Sequence, residues 1–178
     1  MADMGKTNLR LYSNKLDIKK FENLLSYNDQ GYKFFWLEAI MNLFPNGNDL
    51  FTFEDIIDEM IAGAWKTVTH YHLRLGHTVN GNVENFLEHA IRVLYECSKA
   101  ELSNKVPSHD RILHFIKKYN RQLMDDKLHL TDYVPYRLIK PFLNKEGKSY
   151  VDKKQYSKLI AYLNEATKVD NGFFYDIM

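Results

Sequence analysis

The sequence predicts an all-α fold, a compact multi-helix bundle of about six to eight helices packed around an aromatic-rich core. Apolar residues recur three and four positions apart through most of the chain, which is the spacing of one face of a helix. The alternating apolar and polar pattern of a half-buried strand is weak throughout. With 178 residues, 45% hydrophobic and 14% aromatic, the chain suits one domain over residues 1–178.

Residues 1–30 are weakly patterned, with a short helix predicted at 18–25 and Asp17 as its cap. A clear helical stripe follows, because the apolar positions of Tyr32–Leu43 recur at helical spacing. The sequence Pro-Asn-Gly-Asn at 45–48 then predicts a turn, since proline cannot continue a helix and Asn-Gly favours positive φ.

A second helix over 53–65 completes a predicted helical hairpin. Thr52 and Asp55 have the spacing of a capping box, in which each side chain accepts a hydrogen bond from the other residue's backbone amide. Gly63 leaves room for the close approach of another helix. Residues 66–76 begin with β-branched residues, which favour a strand, but no helix-breaking residue separates them from the second helix. We interpret them as a continuing or second helix that ends at the final glycine, with a strand as the alternative.

The clearest helical period of the chain covers residues 83–97, with Asn82 as the predicted N-cap. Ser108, preceded by a proline, predicts the start of another helix. The apolar stripe of that helix is opposed by a basic face, and the aspartate pair at 125–126 is expected to end it.

Two prolines bound the next aromatic segment, so Pro135 is expected in the first turn of a helix and Pro141 at its end. Residues 144–150 contain a glycine and several charged residues and are predicted to form a basic loop. Asp152 is then the expected cap of a last helix, which the Asn-Gly pair at 171–172 ends.

A single cysteine, Cys97, excludes an internal disulfide and fits a reducing compartment. No apolar run has the length that a bilayer span requires, so no membrane association is expected. The first residues, Met-Ala-Asp-Met-Gly-Lys, lack the apolar core of a signal peptide. We therefore expect a cytoplasmic protein, either bacterial or present inside the host cell if the chain is phage-encoded.

Charge is unevenly distributed along the chain, although the net charge is only +1. Residues 104–158 contain 13 Lys or Arg against 6 Asp or Glu, whereas the other residues contain 11 against 17. Phosphate binding needs cations along one surface, and Tyr133 and Tyr136 could pack against sugar or base. Ordinary solvated helix faces over a core that includes these tyrosines would explain the same pattern. The candidate DNA-binding residues are Arg111, Lys117, Lys118, Arg121, Arg137, Lys140, Lys145 and Lys148.

The chain between Glu38 and Glu59 is acidic, with six Asp or Glu residues when both ends are counted and no Lys or Arg. Asp55, Asp58 and Glu59 lie three and four positions apart, so they share one face of the predicted helix. This face is the candidate surface for a protein partner, and a solvated acidic face is the alternative.

No metal site, cofactor or catalytic residue is predicted. His70 and His72 are two residues apart, so they share a face only in a strand, and neither they nor His77 belong to a His-Glu-x-x-His motif. Glu146 and Lys148 match two positions of a metal-dependent nuclease core, but that chemistry needs them on a strand and here a loop is predicted. Walker, Gly-x-Gly-x-x-Gly and Gly-x-Ser-x-Gly motifs are absent from the sequence.

Four segments resemble, in this order, the N-terminal region of bacterial HNH-endonuclease-domain proteins: residues 32–40, 53–65, 71–76 and 133–142. The resemblance spans roughly residues 30–175, and its most specific parts are the Ala-Trp and Val-Pro-Tyr-Arg sequences. In that family the helical region precedes a ββα-metal nuclease module with an Asp-His pair. This chain has no Asp-His pair, only the reverse order at His109 and Asp110.

The resemblance therefore implies the accessory part of such a protein and no catalytic residue. We expect a helical domain that binds DNA or positions a nuclease module, in the setting of restriction or phage defence. A stand-alone phage or mobile-element protein that binds a host or defence protein as inhibitor or regulator is the alternative. Whether the chain is a fragment or a complete protein is left open by these motifs.

Overall fold

A computed structural model describes residues 24, 31–44, 51–76, 84–102 and 106–166. Seven α-helices have their bounds within these residues, and no strand occurs among them, so the all-α prediction is confirmed. In chain order the helices are α1 (Tyr32–Leu43), α2 (Phe53–Thr69), α3 (Phe86–Ser98), α4 (His109–Lys118), α5 (Asn120–Ile139), α6 (Lys145–Asp152) and α7 (Tyr156–Ala166). Short 3-10 helices follow α3 and α5, at Lys99–Glu101 and Lys140–Phe142.

The chain divides into two compact units, Asn28–Pro135 and Met1–Tyr27 with Tyr136–Met178. Among the described residues, the first unit holds α1 to α4 and most of α5, and the second holds the end of α5 with α6 and α7. The prediction of one domain over residues 1–178 stays a prediction. The helix predicted at 18–25, apart from helical Leu24, and the turn predicted at 45–48 lie outside the described residues.

The predicted hairpin forms the centre of the Asn28–Pro135 unit. Helix α2 packs against α1, α3 and α4, and about half of its residues are buried. Both tryptophans are fully buried, and the Trp36 and Phe53 ring centroids lie 5.8 Å apart. The Trp65 ring lies 6.1 Å from that of Tyr95 on α3. Large aromatic side chains are thus buried together in the core, so the aromatic-rich core is confirmed.

The capping box at the start of α2 is present as predicted. The Thr52 hydroxyl accepts a hydrogen bond from the Asp55 amide at 3.1 Å, and the Asp55 carboxylate accepts one from the Thr52 amide at 2.9 Å. The predicted end at the glycine of 66–76 is wrong, because α2 ends at Thr69. His72 has a φ of 52°, which no helical residue adopts, and the Leu73 amide turns back to a carbonyl inside α2.

The start of α3 lies later than predicted. Its cap is Asn85, whose side chain accepts from the Glu88 amide at 2.9 Å, and the Glu88 carboxylate accepts from the Asn85 amide at 3.1 Å. This reciprocal pair satisfies two amides that the first turn leaves unbonded, which explains why the helix begins at Phe86. Asn82 lies outside the described residues. Ser108 caps α4 as predicted.

The aspartate pair at 125–126 does not end a helix, and Pro135 does not begin one. Helix α4 ends at Lys118, and α5 runs through both features. Asp126 is buried, and its carboxylate lies 2.8 Å from Nδ1 of His89 on α3. Because that partner comes from another helix, Asp126 is part of the inner face of α5 rather than a terminator.

Helix α6 (Lys145–Asp152) occupies most of residues 144–150, where a basic loop was predicted. Asn144 accepts a hydrogen bond from the Gly147 amide at 2.9 Å and thereby caps α6. Asp152 is the last residue of α6 rather than the cap of the next helix, which begins at Tyr156. The predicted stop at 171–172 lies outside the described residues.

Replacement of two helical glycines by alanine should change the stability of the protein in opposite directions. A Cβ on Gly63 would lie 3.8 Å from a Glu38 carboxylate oxygen, an ordinary contact, so Gly63→Ala should stabilise the protein by about 0.5–1 kcal/mol through helix propensity. A Cβ on Gly147 would lie 2.9 Å from the Tyr162 ring and 3.1 Å from Leu143 Cβ, so Gly147→Ala should destabilise by about 1–3 kcal/mol. Urea unfolding of both variants measures the difference, and the reverse order would contradict this packing.

Candidate functional site

The eight predicted DNA-binding residues fall into two groups of four. Arg111, Lys117, Lys118 and Arg121 belong to the Asn28–Pro135 unit, on α4 and at the beginning of α5. Arg137, Lys140, Lys145 and Lys148 belong to the second unit, at the end of α5, in the 3-10 helix that follows it and on α6. Seven of the eight side chains are exposed, and Lys140 is half-buried.

Burial of one face of α4 leaves its basic residues in solvent. Ile112, Phe115 and Ile116 are fully or almost fully buried, and the opposite side of the helix carries the predicted cations. The Arg111 guanidinium lies 4.6 Å from the centroid of the Phe115 ring, so its stem follows the apolar surface while its charge stays exposed.

Glu101 brings part of this group together. Its carboxylate accepts hydrogen bonds from Lys118 Nζ and the Tyr119 hydroxyl, each at 2.6 Å. Arg111 Nη2 lies 4.0 Å from the other carboxylate oxygen. The hydrogen bonds from Lys118 and Tyr119 lower the pKa of Glu101, and the same carboxylate raises the pKa of Lys118. Glu101 and Lys118 are therefore both charged near neutral pH.

The second group lies in the more basic part of the described chain. Residues 136–166 contain seven Lys or Arg against three Asp or Glu, whereas the described residues of the other unit contain 10 against 13. Six of the seven cations are exposed, and the half-buried one, Lys140, pairs with Asp152 at 2.5 Å. Residues 136–166 thus carry an excess of four positive charges over 31 residues.

The two tyrosines considered for base stacking have different environments. Tyr136 is buried, and its ring is stacked on that of Tyr156 with centroids 4.2 Å apart. That face of the ring has a partner within the protein, so Tyr136 contributes to packing. Tyr133 is only half-buried.

Much of the predicted acidic face points into the protein. Glu59 is buried, and its carboxylate lies 2.9 Å from His109 Nε2 and accepts from Asn42. Asp58 forms an ion pair with the buried Lys127 at 2.5 Å. Asp55 is exposed and serves in the capping box. The role of this face in binding a protein stays a prediction.

The histidine and Glu-x-Lys motifs show no arrangement for metal chemistry where they are described. His70 is the C-cap residue of α2, His72 lies in the irregular segment after it, and His77 is outside the described residues. Within the described ranges, no three His, Cys, Asp or Glu side chains are grouped to hold a metal ion. Glu146 and Lys148 lie on α6, not on a strand. None of the helices described is long and apolar enough to cross a bilayer.

Sequence reasoning did not identify Glu101 or Tyr119 as part of the cationic group. Glu101 lies in a connector without periodicity, and Tyr119 belongs to the predicted apolar stripe, which suggested only core packing. Glu101 and Lys118 are 17 residues apart, so no local spacing reports their pairing. Comparison with protein-family models, with curated proteins and with solved structures finds no match, so the resemblance to HNH-endonuclease-domain proteins stays a prediction from the segments that carry it.

Proposed function

We propose that the chain is an accessory helical domain that binds DNA, without catalysis of its own, in an HNH-endonuclease-like protein. The observation that best supports DNA binding is the surplus of exposed cations in residues 136–166. Lysines that neutralise backbone phosphates release condensed counterions, which drives binding without reading sequence. Arg111, Lys117, Lys118 and Arg121 are the second candidate contact group.

The test is binding of a fluorescent DNA duplex to the full chain at about 50 and 200 mM salt. Lys145→Gln with Lys148→Gln should weaken binding and reduce the slope of log affinity against log salt by about two, one unit for each lost phosphate contact. Lys66→Gln with Lys99→Gln is the matched control, because both lysines are exposed and lie in the more acidic unit. Binding that is absent, independent of salt or equally weakened by the control pair would refute the proposal.

A second candidate is the regulator that binds a host or defence protein. It is favoured by an exposed apolar stripe at one side of α1, where Phe34, Met41 and Phe44 are 51%, 65% and 62% exposed. Their spacing of seven and three residues puts them on one face of the helix, and such stripes mark protein-binding surfaces. Met41→Glu should abolish capture of a stoichiometric partner from host lysate while leaving DNA binding unchanged. Failure of the unmodified chain to capture any protein would exclude this candidate.

A further inference from the structure

Three donors from α4 and the residue after it converge on one carboxylate. Lys118 Nζ and the Tyr119 hydroxyl both donate to the same oxygen of Glu101 at 2.6 Å, and Arg111 Nη2 lies 4.0 Å from the other oxygen. Two cations and one hydroxyl thus surround a single negative charge. The cluster keeps a positive surplus even with Glu101 in place.

The donor set is one that also suits a phosphate group. Phosphate and carboxylate oxygens accept from the same ammonium, guanidinium and hydroxyl donors, and a guanidinium can present two parallel N–H groups to a phosphate. At 4.0 Å, Arg111 Nη2 is beyond hydrogen-bond distance from Glu101, so Arg111 forms a long ion pair with that carboxylate but no hydrogen bond to it. A DNA phosphodiester carries one negative charge and two non-bridging oxygens, as a carboxylate does, so it can take the place of the Glu101 carboxylate among these donors.

We propose that Arg111, Lys118 and Tyr119 form a phosphate-binding site that Glu101 occupies until a DNA phosphate displaces it. The identity of the ligand rests on the proposed DNA binding, whereas the site itself rests on the contacts of these four residues. Glu101 competes with external anions for these three donors. An anion that binds weakly does not displace it, whereas a polyanion, which brings many phosphates at once, is favoured.

The three donors are held more firmly than the Glu101 carboxylate. The donors lie on α4 or on the residue after it, and the inner residues Phe115 and Ile116 of this helix are fully buried, so the backbone of the donors has no need to move when a ligand binds. Glu101 ends a three-residue 3-10 helix, and its side chain is 31% exposed. Exposed ion pairs are weak and screened by salt, so its carboxylate can rotate away at low cost.

The experiment compares Glu101→Gln with Glu96→Gln in the full chain. Both substitutions remove one negative charge, but Glu96 pairs with Lys99 and does not contact the cluster. Inorganic pyrophosphate is titrated first, with the backbone amide signals of Lys118 and Tyr119 as the NMR readout. Glu101→Gln should tighten pyrophosphate binding about fivefold, and adding Lys118→Gln should reverse the gain. Equal effects of Glu101→Gln and Glu96→Gln would overturn the site, because only overall charge would then matter.

A DNA duplex is the second probe and separates the two proposals. Tighter duplex binding by Glu101→Gln, beyond that of Glu96→Gln, supports both the site and its polyanion ligand. Pyrophosphate binding at Lys118 and Tyr119 without duplex binding by any variant would support the phosphate site and refute DNA as its ligand. Unchanged pyrophosphate affinity in Glu101→Gln would refute the internal competitor even if the duplex binds elsewhere.

Discussion

Replacing Glu88 with alanine should lower the free energy of unfolding by about 3–5 kcal/mol. The carboxylate is almost fully buried and accepts from Arg74 Nε at 2.9 Å, from the Leu75 amide at 2.7 Å and from the Asn85 amide at 3.1 Å. Its loss would leave the buried Leu75 amide without this acceptor and remove half of the capping box of α3. An unpaired buried donor costs far more than an exposed hydrogen bond contributes.

Urea unfolding followed by far-ultraviolet circular dichroism measures this effect. Glu96→Ala is the control on the same helix. The Glu96 side chain is 62% exposed, and among the described residues it pairs only with Lys99. The loss for Glu88→Gln should lie between those of Glu88→Ala and Glu96→Ala, since the amide keeps the shape but turns an NH2 group toward donors where the carboxylate had an acceptor oxygen. A loss below about 1 kcal/mol for Glu88→Ala would contradict the buried network.

Lys127→Met should destabilise the protein by about 3 kcal/mol. The lysine side chain is only 6% exposed, and its ammonium lies 2.5 Å from Asp58 and 3.4 Å from Glu54 on α2. Methionine fills the space of the stem but leaves the Asp58 carboxylate, which is 13% exposed, without its cation. The double variant Lys127→Met with Asp58→Leu should recover much of the loss, because the uncompensated buried charge is then gone.

The Lys127→Met variant should also be more sensitive to pH than the parent. Burial raises the pKa of Asp58 in the folded protein, and Lys127 opposes that rise. With the lysine removed, the pKa should rise further, so the folded state holds the proton more tightly than the unfolded chain does. Stability from such a group is present at low pH and is lost as pH rises through the raised pKa. Lys127→Met should therefore lower the free energy of unfolding more at about pH 8 than at about pH 5. Equal losses at the two pH values would contradict this role of Asp58.

Features that depend on neighbours in the chain were predictable. Thr52 and Asp55 form their capping box as expected, and Tyr32–Leu43 is a helix with the predicted bounds. Both depend on contacts within three or four residues, where backbone geometry fixes which side chains meet. The same locality explains why the all-α class could be recognised from periodicity alone.

Helix ends that depend on other helices were not predictable. Asp126 resembles a terminator in sequence, but its partner His89 lies on α3, 37 residues away. Residues 145–152 resemble a loop because of their glycine, but Asn144 caps them and Gly147 fits closely against Tyr162 and Leu143. Tertiary packing overrides weak local propensity at such positions.

The sequence by itself determined that this chain is helical, that its two tryptophans belong to one hairpin and that cations accumulate in residues 104–158. Only the tertiary structure decided which charges are exposed, since Asp58, Glu59 and Lys127 are paired inside while Lys145 and Lys148 face solvent. The number of charged residues in a segment can be read from the sequence, whereas the pairing of their side chains depends on which helices pack together. The contact of Glu101 with Lys118 exists for that reason, because two elements far apart in sequence meet in the fold.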